Sequence, residues 1–193
     1  MALTQIKSTL LAPQAVGWVP LATSSPTSGG DMNGASGPLR NLFSSTYNVF
    51  MVTIVDAVIA DDNKILYMTF YTGGDTEQTS TYGYDTQEYE WDNSSRISAN
   101  STSAASMRVA AELGNGTGEG LSGTFYIFNP TSTSVYTTAQ WRVTQYSRSP
   151  RLKVNNGAGV WVTGTAVTGV GFPVESDNGF DGGTFTVYGL SKV

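Results

Sequence analysis

Hydrophobic and polar residues alternate along most of this chain with a period of two, the pattern of strands with one face buried. The C-terminal segment Gly183 to Leu190 carries it most clearly. Phe185 and Val187 fall on one face and Thr184, Thr186 and Tyr188 on the other, behind a turn at Asp177-Asn178-Gly179. Lys64 to Tyr71 repeats the pattern, with Leu66, Met68 and Phe70 opposite Ile65, Tyr67 and Tyr71, and Gly73-Gly74 ends it. Tyr47 to Val55 is apolar on both faces, which predicts a central strand buried on each side. A turn at Asp61-Asp62-Asn63 then lets these two strands pair as neighbours. Further strands are predicted at Leu121 to Phe128, halted by Asn129-Pro130, at Tyr136 to Tyr146, at Gly159 to Gly164 and at Val167 to Phe172.

Other segments are read by their punctuation. Tyr82, Tyr84, Tyr89 and Trp91 interleave with Asp85, Glu88, Glu90 and Asp92, predicting an edge strand with an acidic outer side. Ala104 to Leu113 is Ala-rich, which favours a helix, yet Met107, Val109 and Ala111 alternate; consistency with the rest of the chain makes it a strand. Thr23 to Pro38 and Asn93 to Ser103 are polar and aperiodic and are assigned to loops, and Gly114 to Gly118 to a hairpin turn. Eight to ten short strands separated by turn signals predict one all-β domain, a jelly-roll-like antiparallel β-sandwich. Residues 1–19 form a short extended N-terminal arm or first strand, and residues 20–193 the sandwich. No internal repeat is visible.

Composition narrows the chemistry. Of 193 residues only 13% are charged, there are 22 Gly and 7 Pro, and Lys, Glu and Arg are scarce beside Thr, Val and Tyr, which disfavours helices. Cysteine and histidine are both absent. Disulfides, Cys/His zinc sites, thiol nucleophiles and Ser-His-Asp triads are thereby excluded. A net charge of -5 argues against nucleic acid as a partner. No run approaches a membrane span, and the apolar patch Leu10-Leu11-Ala12, broken by Pro13, is too short for a signal-peptide core, so a cytosol-like compartment is expected until assembly.

Five segments occur in a recognisable order: Gly17-Trp18; Tyr47-Asn48-Val49-Phe50; Gly123-Thr124-Phe125-Tyr126-Ile127-Phe128-Asn129-Pro130; Thr168-Gly169-Val170-Gly171-Phe172; and Gly183-Thr184-Phe185-Thr186-Val187-Tyr188-Gly189-Leu190. As an ordered set they resemble small virion proteins of tailed bacteriophages, marine and cyanobacterial ones especially, which end in a Gly-x-Phe-x-Leu-Tyr-Gly-Ile type strand. Here Val187 stands for Leu and Leu190 for Ile. The resemblance implies a jelly-roll-like sandwich, usually trimeric, on the outside of a virion assembled in the host cytoplasm. The partners it implies are other copies of the chain and the major capsid protein or other virion proteins. No heptads precede the sandwich, which favours a capsid-surface cement or decoration protein. The alternative is a tail-associated fibre or receptor-binding head that recognises host surface glycan.

Carboxylates are the catalytic groups available, and Asp85, Glu88, Glu90 and Asp92 would be the acids of a glycan-hydrolysing site. A solvated acidic edge is the simpler role, and no catalytic residue is assigned. Asp61-Asp62-Asn63 and Asp177-Asn178 with Asp181 offer calcium-type oxygen ligands but lack EF-hand spacing, and they are read as turns; no metal or cofactor is assigned. Asn93-Ser94-Ser95, Asn100-Ser101-Thr102 and Asn115-Gly116-Thr117 match the glycosylation pattern by chance. The candidate interaction surface is aromatic: Trp18, Tyr82, Tyr84, Tyr89 and Trp91, as a stacking platform or a packed interface.

Overall fold

The computed structural model describes residues 17–30, 32, 39–73, 75–91, 96–177 and 179–191, and no α-helix occurs among them. Twelve strands follow in order: β1 (Trp18–Ser24), β2 (Tyr47–Ile59), β3 (Lys64–Thr72), β4 (Thr76–Glu77), β5 (Tyr82–Glu90), β6 (Arg96–Ala104), β7 (Met107–Leu113), β8 (Gly120–Phe128), β9 (Thr137–Tyr146), β10 (Leu152–Trp161), β11 (Val167–Gly171) and β12 (Phe180–Ser191). Eight form one sheet in the order β1-β12-β2-β8-β9-β10-β5-β6; in the smaller sheet β3 pairs with β11, β4 and β7. Every pairing is antiparallel and the two sheets pack face to face, the all-β jelly-roll-like sandwich expected from the alternation. β1 begins at Trp18, so the sheet runs across the expected arm boundary at residue 19. Residues 1–16 of the arm lie outside the described residues.

Alternation decides which side of each strand is covered. In β9, Thr137, Ala139, Trp141, Val143 and Gln145 are buried, while Thr138, Gln140, Arg142, Thr144 and Tyr146 are exposed. Between the sheets, Phe125 packs edge-on against Phe172 with centroids 4.8 Å apart, and Phe180 against Phe185 at 4.9 Å. Glycine makes room for large side chains on the inner face. A methyl group at Gly157 would collide with Thr86 Oγ1 and the Trp141 ring of the two flanking strands, and one at Gly159 with the sulfur of Met107 in the opposite sheet. Gly183, at a φ of 112° beside the Ala57 backbone, occupies a conformation that side chains resist.

Several local expectations are corrected. β2 and β3 do not pair, because the turn at Asp61-Asp62-Asn63 carries the chain from the large sheet to the small one. β2 is buried on its inner face only: Phe50, Val52 and Ile54 are inside, while Thr53 is half-buried and Val55 exposed. β5 is not an edge, since β6 covers it, and β6 is built from Arg96 to Ala104, a segment assigned to a loop. No residue of β6 is fully buried and only Ala104 packs against the core, so apolar residues are not demanded of it and its alternation is silent. Gly114 to Gly118 joins β7 to β8 across the sandwich rather than closing a hairpin. The strand expected at Gly159 to Gly164 is the end of β10, which starts at Leu152 and stops at Trp161. At the outer edges of the large sheet, β1 carries Pro20 and a register shift before Ala22, and β6 is shifted against β5 between Tyr82 and Tyr84.

Candidate binding face

The side of the large sheet turned away from the core is polar in a regular way. Register places Thr23 of β1, Thr186 of β12, Thr53 of β2 and Thr124 of β8 in one transverse row. The row continues through Arg142 of β9, Asn156 of β10, Gln87 of β5 and Ser98 of β6. All eight strands therefore contribute a hydrogen-bonding side chain to a single line across the face. The hydroxyls of Thr23 and Thr186 are 3.2 Å apart. Near the middle of the row the sheet surface dips into a groove of about 680 Å³, with Thr53, Thr124, Tyr126, Gln140, Arg142 and Asn156 among its walls. One end is set by a bulge in β2, where the Ser122 hydroxyl accepts from the Asp56 backbone N–H at 3.0 Å.

Arg142 stands in this groove with no ion pair or hydrogen bond to any described residue, although the chain is acidic as a whole. Tyr126 forms an aromatic wall, and the Trp18 ring lies 5.9 Å from it. Gln140 and Asn156 add carboxamides, each offering both donors and acceptors.

A second polar group bridges the two sheets. Lys153 of β10 is fully buried, and its ammonium donates to Glu88 Oε1 at 2.7 Å and Glu112 Oε2 at 2.7 Å, and pairs with Glu90 Oε1 at 2.6 Å. Arg151 reaches the other oxygen of Glu90 at 3.0 Å. Glu88 and Glu90 lie on β5 and Glu112 on β7, so one cation ties both sheets together. Burial alone would lower the Lys153 pKa, but hydrogen bonds to Glu112, Glu88 and Glu90 together raise it above the ordinary lysine value. The acidic side expected to face solvent is thus inverted at Glu88 and Glu90, whose side chains are only 6% and 7% exposed. An ammonium occupies the position that a glycosidic substrate would need between them.

The aromatic residues singled out from sequence do not converge. Tyr82 is fully buried; its hydroxyl accepts from the Phe70 N–H at 2.8 Å and donates to the Gln78 carbonyl at 3.1 Å, and burial pushes its pKa up. Tyr84 is half-buried against the core. Tyr89 and Trp91 lie at the exposed end of β5, Trp91 with 71% of its surface free, beside Leu152 of β10, which is paired with Tyr146 of β9. Trp18 sits on β1, at the opposite edge of the sheet. Asp61 is exposed and 3.9 Å from Lys64, and Asp181 accepts from the Gly29 N–H at 2.7 Å. The Asp177 side chain and Asn178 lie outside the described residues, and no cluster of three acidic metal ligands occurs among those described.

Arg142 and Asn156 carry the face yet went unmarked in the sequence, since their proximity arises from register between β9 and β10. The local signal was the strict alternation from Thr137 to Tyr146, which puts an arginine among outward positions. Comparison with protein-family models, curated proteins and solved structures returned no match.

Proposed function

We propose that this chain is a non-enzymatic structural protein of a tailed-phage virion, a trimer seated on the capsid surface as a cement or decoration protein. The ordered sequence resemblance supports the virion assignment. The observation that carries the trimer is the exposed apolar end of the large sheet, where Trp91, Leu152, Tyr146 and Tyr89 crowd together at 71%, 40%, 42% and 36% exposure. Such a patch on a rigid sheet is suited to burial against a copy of itself. Three capsid footprints held in one trimer would then reinforce one another through effective concentration.

Light scattering on purified protein should report three times the 20.5 kDa chain mass, and Trp91→Ser with Leu152→Ser should reduce it to one. Electron microscopy of whole particles then decides location. Density over the shell supports decoration, and density confined to the tail overturns it. The second reading, a tail-associated head that recognises host glycan, is favoured by a separate observation: the groove at the centre of the outer face, where Arg142 has no ion-pair or hydrogen-bond partner among the described residues.

A further inference from the structure

We infer that the groove over β2, β8, β9 and β10 is a binding site for an acidic saccharide, with Arg142 as the carboxylate-binding residue. The inference rests on the glycan-recognition reading and gives that site a chemical class. Five observations converge on it. Set into a largely apolar lining are hydroxyls and carboxamides from Thr53, Thr124, Gln140 and Asn156, groups that exchange paired donors and acceptors with vicinal sugar hydroxyls. Tyr126 gives a flat apolar surface for the face of a pyranose ring. The transverse row continues beyond the groove in both directions, past the buried Thr186 to the exposed Thr23 on one side and through the exposed Gln87 and Ser98 on the other. A chain of several sugar units, rather than one compact molecule, matches that length.

Charge narrows the class. Arg142 is exposed in the groove and has no described partner, so its planar guanidinium is available for two-pronged contact with a carboxylate. Asp56 flanks one end of the groove and Asp85 stands on the neighbouring exposed row, within a chain of net charge -5. A densely charged polyphosphate would be repelled by that field, whereas a saccharide with one carboxylate per unit or fewer is tolerated.

The test uses the full chain and immobilised oligogalacturonate, alginate and hyaluronan fragments, each beside its carboxyl-reduced neutral counterpart. Wild type should bind at least one acidic probe more tightly than its reduced form, with affinity falling as salt rises. Arg142→Gln should weaken that binding about tenfold or more, the usual worth of a charged hydrogen bond, and leave the reduced form unaffected. Tyr126→Ala should weaken both. Both positions lie on the outer face, and an unchanged far-ultraviolet spectrum checks the fold of each variant. If no acidic probe binds at about 1 mM, the weak end of specific recognition, the inference is overturned. If neutral and acidic probes bind alike and Arg142→Gln changes neither, glycan recognition stands and the acidic class is refuted. Shell occupancy by electron microscopy is read separately, so decoration survives or fails on its own measurement.

Discussion

Replacing Lys153 with Met tests the buried clasp most directly. The substitution keeps most of the length of the side chain and removes the charge. Of its three partners, Glu112 is 46% exposed, and its share is that of a half-solvated pair, about 0.2–1 kcal/mol. Glu88 is different, since with its side chain 6% exposed it cannot recover its hydration once the ammonium is gone, whereas Glu90, 7% exposed, keeps Arg151 at 3.0 Å. Breaking a buried pair in this way costs about 3–5 kcal/mol, because it leaves uncompensated charge inside. The expected loss is therefore about 4 kcal/mol. Urea unfolding followed by tryptophan fluorescence should show the midpoint falling by about 2 M at a slope of about 2 kcal/mol/M.

Neutralising the two buried acids supplies the control. Lys153→Met combined with Glu88→Gln and Glu90→Gln should regain at least half of the loss, because the remaining cost is unmatched hydrogen bonds rather than buried charge. Alkaline pH gives an independent reading on the wild type. An ammonium held above its ordinary value of 10.5 contributes fully below that pH and loses its contribution as pH rises through the folded-state value. Wild-type stability should consequently decline above pH 10.5 more steeply than that of the triple variant. A cost below about 1 kcal/mol for Lys153→Met would refute the reasoning, since that is the range of a surface pair.

Two further predictions concern packing. Gly157→Ala should destabilise by about 1–3 kcal/mol in the same assay, because its methyl would enter the space held by the Trp141 ring and Thr86 Oγ1 on the adjacent strands of the large sheet; an unchanged midpoint would show that these side chains do not close over Gly157. Phe185→Ala should cost about 3–5 kcal/mol, since Phe185 is fully buried against Phe180 and Phe172, and a loss under about 1 kcal/mol would place the residue outside the core.

Strands that line the core were legible because burial imposes alternation on them: Phe185 and Val187, or Leu66, Met68 and Phe70, announce their inner face locally. β6 escaped because Ser98, Asn100 and Ser101 have no core to face. Glu88 and Glu90 were misread for a different reason. Their counter-charge, Lys153, is more than sixty residues away in sequence, and only the β10–β5 register brings it alongside. The polar row on the outer face was hidden likewise, since single threonines on strands are unremarkable until register aligns them. Local pattern thus reports which side of a strand is buried, while the chemistry of a sheet face is written across strands.

The two blunted edges of the large sheet bear on how copies can meet. A proline without an N–H on β1, and irregular pairing at β6, leave poor templates for a neighbour's strand. Contact between copies is thereby steered toward side-chain surfaces, which saturate at a fixed number of partners, and away from open-ended ribbon growth. A chain built this way can accumulate at high concentration and meet its copies through faces rather than polymerise through its sheet edges.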